Sequence, residues 1–172
     1  LFRSYSKIKT VFSIHNLLFK GSFSPKVLPE LFGYDYMPLV NGSVELDGSV
    51  SFLKGGLNYC DQITTVSNTY AEEIKTPQYG EGLDGFLRSK SYYLMGIVNG
   101  IDYEEFNPQD DKLIFKNFNI NSIDNKVQNK LSLQRELGLP QKKDTPMIGL
   151  ISRLTHQKGC DLIVNMIDRL LQ

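Results

Sequence analysis

Residues able to do chemistry are most concentrated in Ser152-Arg153-Leu154-Thr155-His156-Gln157-Lys158-Gly159, where a guanidinium and an ammonium stand close together in one loop. The apolar run before it, Pro146 to Ser152, predicts a buried strand, and the amphipathic run from Gly159 predicts a helix. The loop is therefore expected to join a strand's carboxyl end to a helix N-terminus. Free N–H groups and the positive end of the helix dipole favour an anion at such a place. Arg153 adds a planar fork of donors and Lys158 a mobile point charge. A diphosphate suits this set, each charge-assisted contact contributing about 1.5–3 kcal/mol. The alternative is a solvated basic loop, because Gly149 and Gly159 flank the segment without forming a recognised P-loop.

Two further polar positions follow runs that read as strands. Ile8 to Ile14 is short and β-branched and runs into His15-Asn16; Leu94 to Val98 runs into Asn99-Gly100. Ligands of open α/β sheets bind beyond the carboxyl ends of the strands, which gives His15, Asn16 and Asn99 a functional reading. The competing readings are a hydrogen-bonded core histidine for His15 and a tight Asn-Gly turn for Asn99. A literal G-x-G-x-x-G at Gly80 to Gly85 follows a predicted helix rather than a strand and carries Glu81 and Asp84, so a flexible loop is expected there instead of a dinucleotide site. The pairs Glu72-Glu73, Glu104-Glu105 and Asp110-Asp111 are adjacent in sequence and read as solvated surface, not as an acid/base pair.

The elements that must position these residues alternate between strand and helix. Ser24-Pro25 reads as a helix start with Ser24 as N-cap and Pro25 at the first helical position, and Gly33 as its stop. Ser51 to Asp61 puts Phe52, Leu53, Leu57 and Cys60 on one helical face, and the adjacent Gly55-Gly56 predicts a close approach. Ile63 to Val66 is a strand, and Ser67 caps a helix through Lys75 that ends before Thr76-Pro77. From Ile101 to Asp124 Asn, Asp and Pro accumulate, which marks a linker. A helix then carries Val127, Leu131, Leu133 and Leu137 and ends at Gly138 and Pro140. This alternation predicts an α/β protein with parallel sheets.

Composition narrows the function classes. With 19 Lys plus Arg against 19 Asp plus Glu the formal net charge is zero, so no global field favours nucleic acid or an anionic membrane. The apolar stretches are far shorter than the roughly 20 residues of a membrane span. Cys60 and Cys160 are far apart, and His15 and His156 are the two histidines, which predicts neither a disulfide framework nor a protein-bound metal and fits a reducing cytoplasm. Asn41-Gly42-Ser43 matches a glycosylation sequon but reads as a turn. The chain begins at Leu1 without methionine and stops at Leu171-Gln172 inside an amphipathic pattern, so it is expected to be an internal piece of a longer protein.

Taken together these segments resemble the glycogen and starch synthases that use ADP-glucose in bacteria and plastids. Thr10-Val11-Phe12-Ser13-Ile14-His15-Asn16-Leu17 is similar to the family's T-V-x-x-I-H-N-L, and Gly21 with Phe23 to the Q-G-x-F that follows. Ser51 to Leu57 and Asp61 to Ala71 resemble S-F-L-K-x-G-L and D-x-I-x-T-V-S-x-T-Y-A. Val98 to Asp102 is similar to L-N-G-I/V-D, and Ile151 to Gly159 to S-R-L-x-x-Q-K-G.

The resemblance implies a GT-B glycosyltransferase with two Rossmann-like halves and an active site in the cleft between them. Residues 1–105 would be the end of the first, acceptor-side half, 106–145 the interdomain crossing and linker helix, and 146–172 the first strand and helix of the nucleotide-sugar-binding half. It further implies retaining transfer of glucose from ADP-glucose to the 4-hydroxyl at the non-reducing end of an α-1,4-glucan, glycogen or starch. His15, Arg153 and Lys158 would be catalytic, and Asn16, Asn99, Arg153, Gln157 and Lys158 would bind substrate, with no cofactor and no metal. The family's N-terminal lysine and glycine loop, its E-x-C-G-L acid and its glycine-rich donor loop fall outside this sequence. The isolated piece is therefore expected to be inactive, with exposed strand edges that favour aggregation or dimerisation. Two rivals remain: a related transferase using UDP-glucose, and a non-catalytic sugar- or nucleotide-binding module.

Overall fold

The structure is a computed structural model that describes residues 7–171; the termini Leu1 and Gln172 lie outside the described residues. Its elements run β1 (Val11–Ile14), β2 (Ser22–Phe23), α1 (Val27–Phe32), α2 (Met37–Val40), β3 (Glu45–Leu46), β4 (Ser49–Ser51), α3 (Phe52–Tyr59), β5 (Gln62–Thr65), α4 (Asn68–Glu73), α5 (Asp84–Ser89), β6 (Leu94–Gly96), α6 (Lys126–Glu136) and α7 (Cys160–Leu170). The chain separates into two compact units, Leu1–Ile101 and Asp102–Gln172.

The first unit is built on a parallel sheet of order β1-β5-β6, in which Ile14 pairs with Thr65 and Thr65 with Gly96. All three strands point the same way, so their carboxyl ends share one edge. Ile14 and Ile63 from the sheet, Leu57 from α3, Ile74 just after α4 and Leu87 from α5 close a buried core with Leu17, Leu46 and Leu83. β1 is the sheet's outer strand, and of its four residues only Ile14 is buried; Val11 is exposed. The strand expected from Ile8 is thus shorter and half-solvated. Asp61 fastens its entrance: one carboxylate oxygen accepts from Thr10 N at 2.8 Å and the other from Lys9 Nζ at 3.0 Å. The Thr10 amide first, and then the Lys9 ammonium, hold the Asp61 carboxyl below its usual range.

Local side-chain bonds set the starts of α3 and α4. The Ser51 hydroxyl accepts from Lys54 N at 3.1 Å and opens α3; the Ser67 hydroxyl accepts from Tyr70 N at 2.9 Å and opens α4. α1 ends as expected at Gly33, whose φ of 65° is left-handed, but it starts later than expected. Its N-cap is Lys26, and Ser24 and Pro25 instead form the turn before it through Val27 N to Ser24 O at 3.0 Å. A second, antiparallel sheet of order β2-β4-β3 closes on Asp47-Gly48, with φ of 51° and 76°. Both values suit the tight hairpin turn that Asp-Gly favours. Asn41-Gly42 is a turn, as expected.

The Gly80 to Gly85 segment turns over residues 80–83 and enters α5 at Asp84. Gly80 is buried, a Cβ there would lie 2.4 Å from the Cβ of Asp84, and Leu83 sits in the core. The core pulls Leu83 inward and forces the glycine turn flat against α5. Asn99-Gly100 is not a turn either, for the chain continues without one from β6 to Asp102 and Gly100 has no positive φ.

The second unit is organised differently. Among the described residues every buried hydrophobic belongs to the first unit, while α6 buries Ser132 and Gln134 and leaves Leu133 and Leu137 exposed. Side-chain amides on α6 grip both neighbouring segments. Asn129 pairs with the backbone of Lys116 through two 2.8 Å bonds, and Gln134 accepts from Lys142 N at 3.1 Å while donating to Lys142 O at 3.4 Å. Lys130 Nζ donates to the carbonyls of Lys143 and Thr145. The strand expected over Pro146 to Ser152 does not form, and Ile148, Leu150 and Ile151 are exposed. Among the described residues this unit has no other strand, so the segment has no ladder partner for its backbone groups.

Asp102 opens the unit by accepting from Glu104 N and Glu105 N, both at 2.9 Å. Those two amides, Glu105 first, hold its carboxyl below the ordinary value of 3.8. A depressed carboxylate stabilises the turn above its unfolded pKa, and that contribution is lost as pH falls through the lower folded value. A carboxyl-carbon NMR titration is expected to place the Asp102 midpoint below 3.8; a midpoint at or above it would remove the capping role. A second expectation concerns glycines at close approaches. A Cβ on Gly96 would lie 2.4 Å from Ser67 O, which is backbone, and one on Gly56 would lie 2.2 Å from the Phe12 ring, which can rotate. Gly96→Ala is expected to cost about 1–3 kcal/mol in urea unfolding, and Gly56→Ala less, helped by roughly 1 kcal/mol of helix propensity. Equal midpoints for the two variants would contradict this.

Candidate functional site

β1, β5 and β6 end at one edge of the parallel sheet, and His15-Asn16, Val66-Ser67 and Ile97 to Asn99 leave from it. The two outer strand ends are separated by two strand spacings, about 10 Å. His15 and Asn99 are exposed, and among the described residues neither side chain has a hydrogen-bond partner. The core-histidine reading of His15 is thereby removed, as is the tight-turn reading of Asn99. Asn16 is half-buried, and its Oδ1 accepts from Leu18 N at 3.0 Å, turning the chain sharply behind His15.

The backbone around His15 is held by residues that the sequence reading passed over. The Thr65 hydroxyl donates to Ile14 O at 2.9 Å in a buried bond, and the Tyr70 hydroxyl accepts from Leu17 N at 3.3 Å. The carbonyl of the same Thr65 accepts from Ile97 N at 2.7 Å, two residues before Asn99. Gly96 lets this happen: any side chain there would collide with Ser67 O and Asn68. The available signal was the Thr-x-Ser-x-x-Tyr spacing of Thr65, Ser67 and Tyr70, three hydrogen-bonding side chains on a strand end and the helix after it.

Arg153, Gln157 and Lys158 belong to the second unit: Gln157 and Lys158 lie on a short 3-10 turn, His156–Lys158, closed by Lys158 N to Thr155 O at 3.0 Å, and Arg153 precedes it. Gly159, with φ of 67°, then caps α7 in the left-handed conformation. The helix half of the expected loop is therefore present, and the strand half is not. All three side chains are exposed, and Arg153 and Lys158 are without a salt-bridge partner among the described residues, unlike Lys9, Lys20, Lys75 and Arg88, which are paired with carboxylates. Arg153 and Lys158 thus lie exposed just before the N-terminus of α7. Asp161 already stands in the first turn of α7, so an incoming anion depends on Arg153 and Lys158 rather than on the dipole alone.

No group of three or more His, Cys, Asp or Glu among the described residues is placed to hold a metal ion. Cys60 donates to Leu57 O at 3.5 Å, and burial pushes its thiol up, away from the thiolate a nucleophile needs. No described helix is long and apolar enough to cross a membrane.

Residues 2–89 match the family described as starch synthase catalytic domain. The chain is 66% identical over 168 residues to a glycogen synthase of Clostridium perfringens, and 46% identical over 169 residues to one of Lactobacillus acidophilus. These alignments cover 98% of this chain but only 35% and 36% of those proteins, so the chain spans about a third of the length of the curated relatives it matches. A solved structure, the catalytic domain of starch synthase IV from Arabidopsis thaliana bound to ADP and acarbose, is similar with a TM-score of 0.84 and 33% identity, over 95% of this chain and 34% of that one. With 2–89 of its 172 residues inside the family match and this α/β fold of GT-B type around the matched motifs, the chain belongs to the starch synthase catalytic domain family.

Proposed function

We propose that the protein containing this chain transfers glucose, with retention, from ADP-glucose to the 4-hydroxyl at the non-reducing end of an α-1,4-glucan. The observation that carries the reading is the uncompensated pair Arg153 and Lys158 before α7, in a chain 33% identical to a synthase domain bound to ADP and acarbose. The names of the curated relatives support it as well. Glycogen or starch would be the acceptor, and the free thiols of Cys60 and Cys160 fit a reducing cytoplasm.

The reaction makes two physical demands: the leaving diphosphate must be stabilised, and so must a sugar that becomes positively charged as the bond breaks. Arg153 and Lys158 supply the first, two positive charges for the diphosphate, so the reading calls for no metal and no cofactor. Gln157 offers an amide to the same group. His15 and Asn99, unpaired at the sheet edge, are assigned to the hydroxyls of the transferred glucose, with Asn16 shaping the turn that presents His15. Fixing the sugar's hydroxyls in this way contributes several kcal/mol through orientation.

The test is glucose incorporation into glycogen by the full-length protein, with ADP-glucose and UDP-glucose compared and with Arg153→Ala and Lys158→Ala beside the unsubstituted enzyme. ADP-glucose-dependent synthesis is expected, with each substitution lowering kcat/KM roughly 10- to 100-fold, the size of one charge-assisted contact. Full activity in both variants would return the loop to ordinary solvated surface. Preference for UDP-glucose would move the protein to the neighbouring class of transferase, and no synthesis from either donor would leave a non-catalytic binding module.

A further inference from the structure

The His15 turn is pinned on both sides by side chains from the neighbouring strand and helix. On the upstream side the buried Thr65 hydroxyl donates to the carbonyl of Ile14; on the downstream side the Tyr70 hydroxyl receives the N–H of Leu17. Leu17 is itself fully buried, so that N–H has no ready access to water. Ser67 fixes Tyr70 in turn, because its hydroxyl caps α4 by accepting the Tyr70 N–H. Thr65 also reaches the other outer strand, its carbonyl accepting from Ile97 N. One residue on the central strand therefore bonds to the segment that ends in His15 and to the segment that ends in Asn99.

We propose that Thr65 and Tyr70 are positioning residues for catalysis, their hydroxyls holding His15 at the distance and orientation the transferred sugar requires. The proposal rests on the role assigned to His15 above. Its physical basis is that these bonds act on the backbone atoms flanking His15, while His15 itself has no protein partner among the described residues to fix it. A shift of about 1 Å at such a group can cost 100-fold in rate.

The experiment uses the full-length enzyme with ADP-glucose and glycogen and compares Tyr70→Phe, Thr65→Val and Thr65→Ser, each alone and in a His15→Ala background. Phe and Val keep the packing and delete the hydroxyl, and Ser restores a donor. Tyr70→Phe and Thr65→Val are expected to lower kcat roughly 10-fold with KM for ADP-glucose within about twofold, and Thr65→Ser to recover most of the loss. In the His15→Ala background the same substitutions are expected to have little further effect on kcat, because the group they position is gone. Equal losses in both backgrounds, or a fall in activity that simply follows a lower melting temperature, would make Thr65 and Tyr70 structural and overturn the proposal. Unchanged kcat in the single variants would overturn it too. Full activity in His15→Ala is the distinct outcome that removes the underlying role of His15, and the positioning role falls with it.

Discussion

In the parallel sheet of the first unit everything meets at β5, the one strand there with a neighbour on each side. Its inward residue Ile63 lies in the core, and its last residue, Thr65, is buried and bonded to both outer strands. A threonine suits this place for two reasons. Its branched Cβ packs well in a pleated strand, and its hydroxyl donates where an aliphatic residue would leave the Ile14 carbonyl with one bond fewer. The close passage of Gly96 under Ser67 and Asn68 follows from the same packing, since α4 must sit tight on the sheet for Tyr70 to reach Leu17.

What could be read in the sequence was mostly local. The caps at Ser51 and Ser67, the stop at Gly33 and the turn at Asn41-Gly42 depend on bonds or dihedrals within a few residues, and such features are written directly in residue type. The close approach expected at Gly55-Gly56 is met by Phe12 and Val44. The hairpin around Asp47-Gly48 carried an equally plain signal in its alternating Val-Glu-Leu and Ser-Val-Ser flanks, but the strands are too short for apolar periodicity to point to them. Pro146 to Ser152 failed for the opposite reason: its composition is that of a strand, yet a strand exists only where another backbone completes its hydrogen bonds. The same distinction holds at the site. Arg153, Lys158 and His15 stood out by type and placement, whereas the roles of Thr65 and Tyr70 depend on partners 51 and 53 positions away.

The distribution of charge carries a related lesson. Lys20 lies near both Asp47 and Glu81, Arg88 holds Asp84 and the Lys75 carbonyl, and Lys54 donates to Glu45 O at 2.7 Å. These cations tie loops to the core and are satisfied within the fold. Arg153 and Lys158 have the same side-chain types with no such partner among the described residues, so they are not used to tie the fold together.

The inverted burial of α6 also has a thermal consequence. Apolar surface released on unfolding raises the heat capacity and polar surface lowers it. Leu1–Ile101, with its aliphatic core, carries the usual positive heat-capacity step and a strongly curved stability profile. Asp102–Gln172, held by Asn129, Gln134 and Lys130 gripping backbone, buries no aliphatic side chain fully among the described residues. The share of the heat-capacity step that its unfolding contributes is therefore expected to be small beside that of the first unit.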